Sequence, residues 1–136
     1  MLALDYGSAR CGCAISDPTG TIVTPIETVE KPATKRGMAR LRELVSTRRP
    51  ELVLVGLPLS LSGSDTAQTR EARDFARRLS DALADGEQGV PVELYDERFT
   101  TRLAQRSGGG PGRPRSSEDS RAAAHLLESW LAAGSR

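Results

Sequence analysis

The chain has 136 residues and a formal net charge of +1, from 19 basic and 18 acidic residues. This length fits one domain. The near-neutral charge neither requires nor excludes a nucleic-acid partner, because the placement of charges matters more than their sum. No run approaches the ~20 apolar residues of a membrane span, and no signal peptide precedes the first apolar segment. We therefore expect a soluble, cytoplasmic protein that has no contact with a membrane.

The first third of the chain predicts three strands joined by short turns. Apolar or alternating patterns cover residues 2–7, 10–16 and 21–29. Asp17-Pro18-Thr19-Gly20 is a strong turn signal between the second and third strands. Pro25 indicates that the third strand lies at the edge of a sheet. Cys11 and Cys13 share one strand at a spacing unsuited to a disulfide or a zinc site, so both are expected to be buried thiols.

The rest of the chain alternates between helical and strand patterns. Helices are predicted over residues 35–48, from 64 or 65 to 84, and 118–133, with strands over 52–55 and 90–95. The Gly/Pro-rich residues 107–117 predict a flexible loop. The order βββ-α-β-α-β-α predicts one α/β domain over 1–136, in which an antiparallel three-strand meander and two parallel strands form a sheet flanked by helices.

Acidic residues follow two of the predicted strands. Asp5 lies inside an apolar strand, where an ionised carboxylate is costly without a partner. Asp96 and Glu97 end the fifth strand, and the carboxyl ends of parallel strands meet at one edge of a sheet. Asp5 is therefore expected beside Asp96 or Glu97, and spacing alone does not decide between the latter two.

Asp119 begins the apolar stripe of the last predicted helix. It lies three, four, seven, eight and eleven positions before Ala122, Ala123, Leu126, Leu127 and Trp130. N-capping is an alternative reason for an Asp at this place. Three acids that converge from separate elements suit hard divalent cations, and two such ions about 4 Å apart support phosphodiester hydrolysis. His125, the only histidine, is expected near the surface rather than as a general base.

Four motifs, in order and at compatible spacing, resemble the YqgF/RuvX family over nearly the whole chain. They are Leu4-Asp5-Tyr6-Gly7 with Arg10-Cys11-Gly12 and Ser16-Asp17-Pro18; Val55-Gly56-Leu57-Pro58-Leu59 with Gly63; Asp96-Glu97-Arg98-Phe99-Thr100-Thr101; and Asp119 before an Ala-rich helix ending Glu128-Ser129-Trp130-Leu131. The resemblance implies an RNase H-like fold related to Holliday-junction resolvases. It also implies a nuclease that matures the 5′ end of pre-16S ribosomal RNA.

The resemblance implies catalytic and metal-binding roles for Asp5, Glu97 and Asp119, with Mg²⁺ or Mn²⁺ as the cofactor. It thereby selects Glu97 over Asp96, which could still assist. Residues beside these motifs or on the predicted loop are candidates for nucleic-acid binding: Arg10, Arg98, Ser60, Arg113 and Arg115. Arg10 and Arg98 could equally pair with a neighbouring acid, and Ser60 could simply belong to a turn.

Three alternatives stay open at this point. The substrate could be structured RNA or a four-way DNA junction, and junction resolution generally requires a symmetric homodimer. A protein of another class, a nucleic-acid-binding module without catalysis, could keep the same fold. The segment Asp5-Tyr6-Gly7-Ser8 also resembles the phosphate loop of actin-like kinases, but those proteins need two such domains and a far longer chain.

Overall fold

The structure is a computed structural model that describes residues 1–84, 89–97 and 115–133, with side chains in the last segment from residue 118 onwards. These residues form five strands and three helices. In chain order they are β1 (Leu2–Asp5), β2 (Arg10–Ser16), β3 (Val23–Glu30), α1 (Lys35–Arg48), β4 (Val53–Leu57), α2 (Ala67–Ala84), β5 (Val92–Asp96) and α3 (Arg115–Ala132).

The strands form one mixed sheet in the order β3-β2-β1-β4-β5. The pairs β1/β2 and β2/β3 are antiparallel, whereas β1/β4 and β4/β5 are parallel. This is the predicted meander with two parallel strands, so the expected α/β sheet is confirmed. Pro25 lies in the edge strand β3, as predicted, and the register with β2 shifts between Cys13 and Ala14 beside it.

Alternating side chains of β1 enter two hydrophobic layers. Leu2 and Leu4 pack with residues of α1 and α2, whereas Ala3 packs with Leu126, Leu127 and Trp130 of α3. Asp5, two residues after Ala3, therefore points to the side of the sheet that α3 covers. Cys11 and Cys13 are fully buried free thiols in the first layer, as expected.

Two element boundaries differ from the predicted ones in ways that affect the site. Helix α3 begins at Arg115 rather than at residue 118, because the last helix-breaking proline of the Gly/Pro-rich run is Pro114. Residues 115–117 of the predicted flexible loop are therefore helical, and residues 107–114 lie outside the described residues. Strand β4 continues to Leu57, which places Gly56 inside the sheet. In the described part of the chain, no helix combines the length and the apolar character needed to cross a membrane.

Candidate active site

Two glycines flank Asp5 on the neighbouring strands. Gly12 of β2 is the direct cross-strand partner of Asp5. Gly56 of β4 follows Val55, the parallel partner of Leu4. Asp5 is thus bordered on both sides by residues without side chains, and the face of the sheet is open around its carboxylate.

The other two predicted acids reach Asp5 over these glycines. A Cβ at Gly12 would lie 1.8 Å from the main-chain carbonyl oxygen of Asp119, so only glycine lets α3 approach β2 this closely. A Cβ at Gly56 would lie 3.0 Å from Cγ of Glu97. The two glycines therefore determine how near Asp119 and Glu97 come to Asp5.

Asp5 and Glu97 form a hydrogen-bonded pair of half-buried carboxyl groups. Burial raises the pKa of Asp5, the hydrogen bond with Glu97 lowers it, and the charge of Asp119 raises it again. Burial, then the charge of Asp5 and the hydrogen bond with it, raise the pKa of Glu97 to about 8, with a further contribution from Asp96. Glu97 is consequently the member of the pair that keeps a proton near neutral pH and donates it to Asp5.

Asp119 lies beside this pair and is bound by a cation. Nε of Arg10 donates a hydrogen bond to Oδ2 of Asp119 at 2.9 Å, and both side chains are about 30% exposed. Because α3 begins four residues earlier, at Arg115, Asp119 does not cap the helix, and the N-capping alternative is wrong. Arg10 thus pairs with an acid, which was the second of its two predicted roles.

The three acids are neighbours, but they are not arranged as a closed set of ligands. Among the residues that the structure describes, no three His, Cys, Asp or Glu side chains are close enough to one another to hold a metal ion. The close pair is Asp5 with Glu97, whereas Asp119 is held by Arg10. Two carboxylates are nevertheless a sufficient protein contribution for Mg²⁺, which commonly keeps several waters and completes its shell with substrate phosphates.

The other predicted contact residues have different outcomes. Ser60 lies in the loop after β4, where its Oγ is 3.0 Å from Oγ of Ser62 and accepts a hydrogen bond from the N–H of Ser64. These bonds stabilise the turn, and a contact between Ser60 and nucleic acid stays a prediction. The candidates Arg98 and Arg113 lie outside the described residues. Arg115 is described only as the first helical residue of α3.

The sequence interpretation missed the two glycines. Gly12 stands between two buried residues in the middle of a strand, and Gly56 follows an apolar run. A glycine inside a strand weakens the strand and often marks the close approach of another backbone, which is the signal that could have identified them. The expectation for His125 agrees with the structure, since its ring is partly exposed and Nδ1 lies 3.3 Å from Oε1 of Glu128.

Comparison of the fold with solved structures gives two close matches. One is described as "Thermus thermophilus RuvC structure", with a TM-score of 0.59, 20% identity, and coverage of 98% of this chain and 97% of the other. The second, "T. thermophilus RuvC in complex with Holliday junction substrate", has a TM-score of 0.61 at the same identity and covers 98% and 96%. The fold is RuvC-like, that is, RNase H-like, with its acids at the carboxyl edge of the sheet. The protein therefore falls in the class of nucleases built on this fold.

Sequence comparison gives the family within that class. Residues 1–133 match the family described as "RuvX: Holliday junction resolvase", and the chain belongs to the RuvX family. A relative from Clavibacter michiganensis is 43% identical and covers 98% of this chain and 86% of its own length. One from Corynebacterium jeikeium is 37% identical and covers 96% and 84%. Both are described as "Putative pre-16S rRNA nuclease". The predicted RuvX/YqgF membership and nuclease class are confirmed.

Proposed function

We propose that this protein is a divalent-metal-dependent nuclease that hydrolyses phosphodiester bonds in the maturation of the 5′ end of pre-16S rRNA. The observation that carries the proposal is the coupled pair of Asp5 and Glu97, with Asp119 beside it, at the carboxyl edge of a RuvC-like sheet. The descriptions of relatives that cover nearly the whole chain support the RNA substrate. Such a reaction belongs to the cytoplasm, in keeping with the expected localisation.

The chemistry of the pair fits Mg²⁺ or Mn²⁺. Glu97 keeps a proton only because a second carboxylate and low solvation oppose its charge, and a hard divalent cation neutralises both groups better than a proton does. Asp5 and Glu97 would hold the ion, and Asp119 would join them when it separates from Arg10. When bound, one or two such ions supply an activated water and stabilise the leaving oxygen.

The residues of the chain have separate tasks in this proposal. Asp5 is central, because it contacts Glu97 and its pKa responds to the charge of Asp119. Arg10 is near enough to neutralise a substrate phosphate when Asp119 binds metal, since its guanidinium already lies at the acids. Ser60 and the predicted contacts Arg98, Arg113 and Arg115 would add binding to the phosphate backbone rather than chemistry.

Resolution of four-way DNA junctions is the second candidate activity. The description of the family and the likeness to a junction-bound RuvC favour it. Such an enzyme cuts two strands symmetrically, which calls for a homodimer. A non-catalytic nucleic-acid-binding module is the candidate of another class, and the retained acids at all three positions oppose it.

The test is cleavage of two labelled substrates, an RNA that spans the 5′ end of 16S rRNA and a four-way DNA junction, each with Mg²⁺ or Mn²⁺. We expect metal-dependent cleavage of the RNA, loss of cleavage in Asp5→Asn, and unchanged cleavage in Asp81→Asn, an exposed Asp of α2. Preferred cleavage of the junction by a dimer, with the mass measured in solution, would establish the alternative. Equal activity of Asp5→Asn and the wild type would refute the proposed site.

A further inference from the structure

A group of three exposed cations lies at the turn between β3 and α1. Lys31 follows β3, Lys35 opens α1, and Arg36 is the next residue; we call these three residues the basic corner. Lys31 and Lys35 are the only lysines in a chain that otherwise uses arginine for its positive charge. No part of the catalytic account so far uses these residues.

The basic corner lies at the same edge of the sheet as Asp5. The N–H of Lys31 donates to the carbonyl of Ala9 at 2.8 Å, which ties the corner to the turn between β1 and β2. Thr28 pairs with Gly12, which pairs with Asp5, so Lys31 is two strands across and three residues further along. Strand geometry puts Lys31 about 14 Å from Asp5 between Cα atoms. A nucleic-acid strand at Asp5 therefore reaches the corner within a few nucleotides.

The backbone of the corner is held in a fixed conformation. Lys31 has φ of 45°, an uncommon value for a residue other than glycine. Its carbonyl accepts hydrogen bonds from both the N–H and the hydroxyl of Thr34, at 3.0 and 2.6 Å. A Cβ at Gly37 would lie 2.2 Å from the same carbonyl, so α1 packs directly against it. Arg78 of α2 donates to the carbonyl of Ala33 at 2.9 Å. A ligand would therefore meet charges on an already ordered backbone.

The charges of the corner are available to a ligand. Elsewhere in the described residues, arginines are bound by acids in the pairs Arg40–Glu27, Arg40–Glu43, Arg73–Asp65 and Arg10–Asp119. Within the same described ranges, no ion pair includes Lys31, Lys35 or Arg36. Free ammonium groups act as point charges for phosphates and do not discriminate between bases.

We propose that the basic corner binds the sugar-phosphate backbone of the RNA a few nucleotides from the scissile bond. This inference rests on the proposed nuclease function, because it assumes that a strand lies at Asp5. Asp5 faces the α3 side of the sheet and α1 covers the other side, so the RNA crosses the sheet edge between them. The corner thus contributes affinity independent of sequence and sensitive to salt.

The first test measures binding of a fluorescein-labelled single-stranded RNA in EDTA, in an Asp5→Asn background that does not cleave. The variant replaces Lys31, Lys35 and Arg36 with Gln. The matched control replaces Arg42, Arg48 and Arg49, three exposed cations at the other end of α1 or just after it, with Gln. Loss of three phosphate contacts should reduce the slope of log K against log salt by about 2, which is about 100-fold in affinity at ~0.1 M salt.

The second test uses the restriction of lysine to the corner. Acetylation with an amine-reactive ester, read at each lysine by mass spectrometry, should be slowed at Lys31 and Lys35 when the RNA is bound. Both tests leave the fold intact, and the melting temperature of each variant checks this. An unchanged slope, an equal loss in the control variant, or no protection of either lysine would overturn the proposal.

These measurements separate the corner from the catalytic proposal. Binding is measured without metal and without cleavage, so a salt slope that depends on the corner stands even if the wild-type protein cuts no RNA. That outcome would refute the proposed activity alone. Metal-dependent RNA cleavage together with a corner variant that binds like its control would refute the corner alone.

Discussion

The Asp5–Glu97 pair makes the stability of the metal-free protein depend on pH. Burial and the neighbouring carboxylate raise the pKa of Glu97 from 4.5 to about 8. The unfolded chain loses this proton near pH 4.5, whereas the folded chain keeps it until the pH approaches about 8. The stabilisation is therefore complete below pH 4.5 and is lost as the pH rises through about 8.

The expected effect is large enough to measure by thermal unfolding. Each pH unit over which only the folded state holds the proton lowers the free energy of unfolding by about 1.4 kcal/mol, so the loss between about pH 6 and pH 8 is about 2 kcal/mol. An unfolding entropy of about 2 cal/mol/K per residue over 136 residues converts this loss into roughly 7 °C in Tm.

The assay compares the Tm of wild type and Asp5→Asn in EDTA across this range. In the variant an amide replaces the opposing carboxylate, so the contribution from Glu97 should disappear and the variant should be the more stable protein at pH 8. The comparison isolates the pair, because the other titrating groups are common to both proteins, including the N-terminal amine whose pKa burial lowers. Parallel pH profiles for the two proteins would refute the reasoning.

Three further substitutions test how the acids are positioned. Gly12→Ala places a Cβ 1.8 Å from the Asp119 carbonyl, so α3 must move, at a cost of roughly 1–3 kcal/mol that a lower Tm should show. Gly56→Ala meets the movable side chain of Glu97 at 3.0 Å; we expect a smaller fall in Tm together with slower cleavage, and a wild-type cleavage rate would contradict this. Arg10→Gln removes a positive charge from Asp119, so Mn²⁺ should bind more tightly in a calorimetric titration. Unchanged or weaker binding would show that Arg10 does not oppose the metal.

The sheet could be predicted because its signals are local. Turn residues separate the first three strands, Pro25 marks the edge, and the run from Val53 onwards is apolar on both faces, as a central parallel strand requires. The juxtaposition of Asp5 and Glu97 followed from the same logic, since both end parallel strands of one sheet.

The contacts of Asp119 could not be predicted in the same way. Helical spacing placed it on the buried stripe but left both the start of α3 and the partner of Asp119 undetermined. Its partner, Arg10, is 109 residues away, and its fit against β2 depends on the missing side chain of Gly12. Such contacts depend on how a helix sits on the sheet, which single-sequence periodicity does not report. The extent of the domain over 1–136 and the roles of Arg98 and Arg113 stay predictions.

The claim at the centre of this account is that Asp5 and Glu97 hold a catalytic divalent cation. The most direct measurement is the Mn²⁺ dissociation constant, obtained from the electron paramagnetic resonance signal of the free ion, for the wild type, Asp5→Asn, Glu97→Gln and the control Asp81→Asn. The account predicts that the wild type and the control bind alike, and that each site variant binds at least about tenfold more weakly. Equal affinity in all four proteins would contradict it.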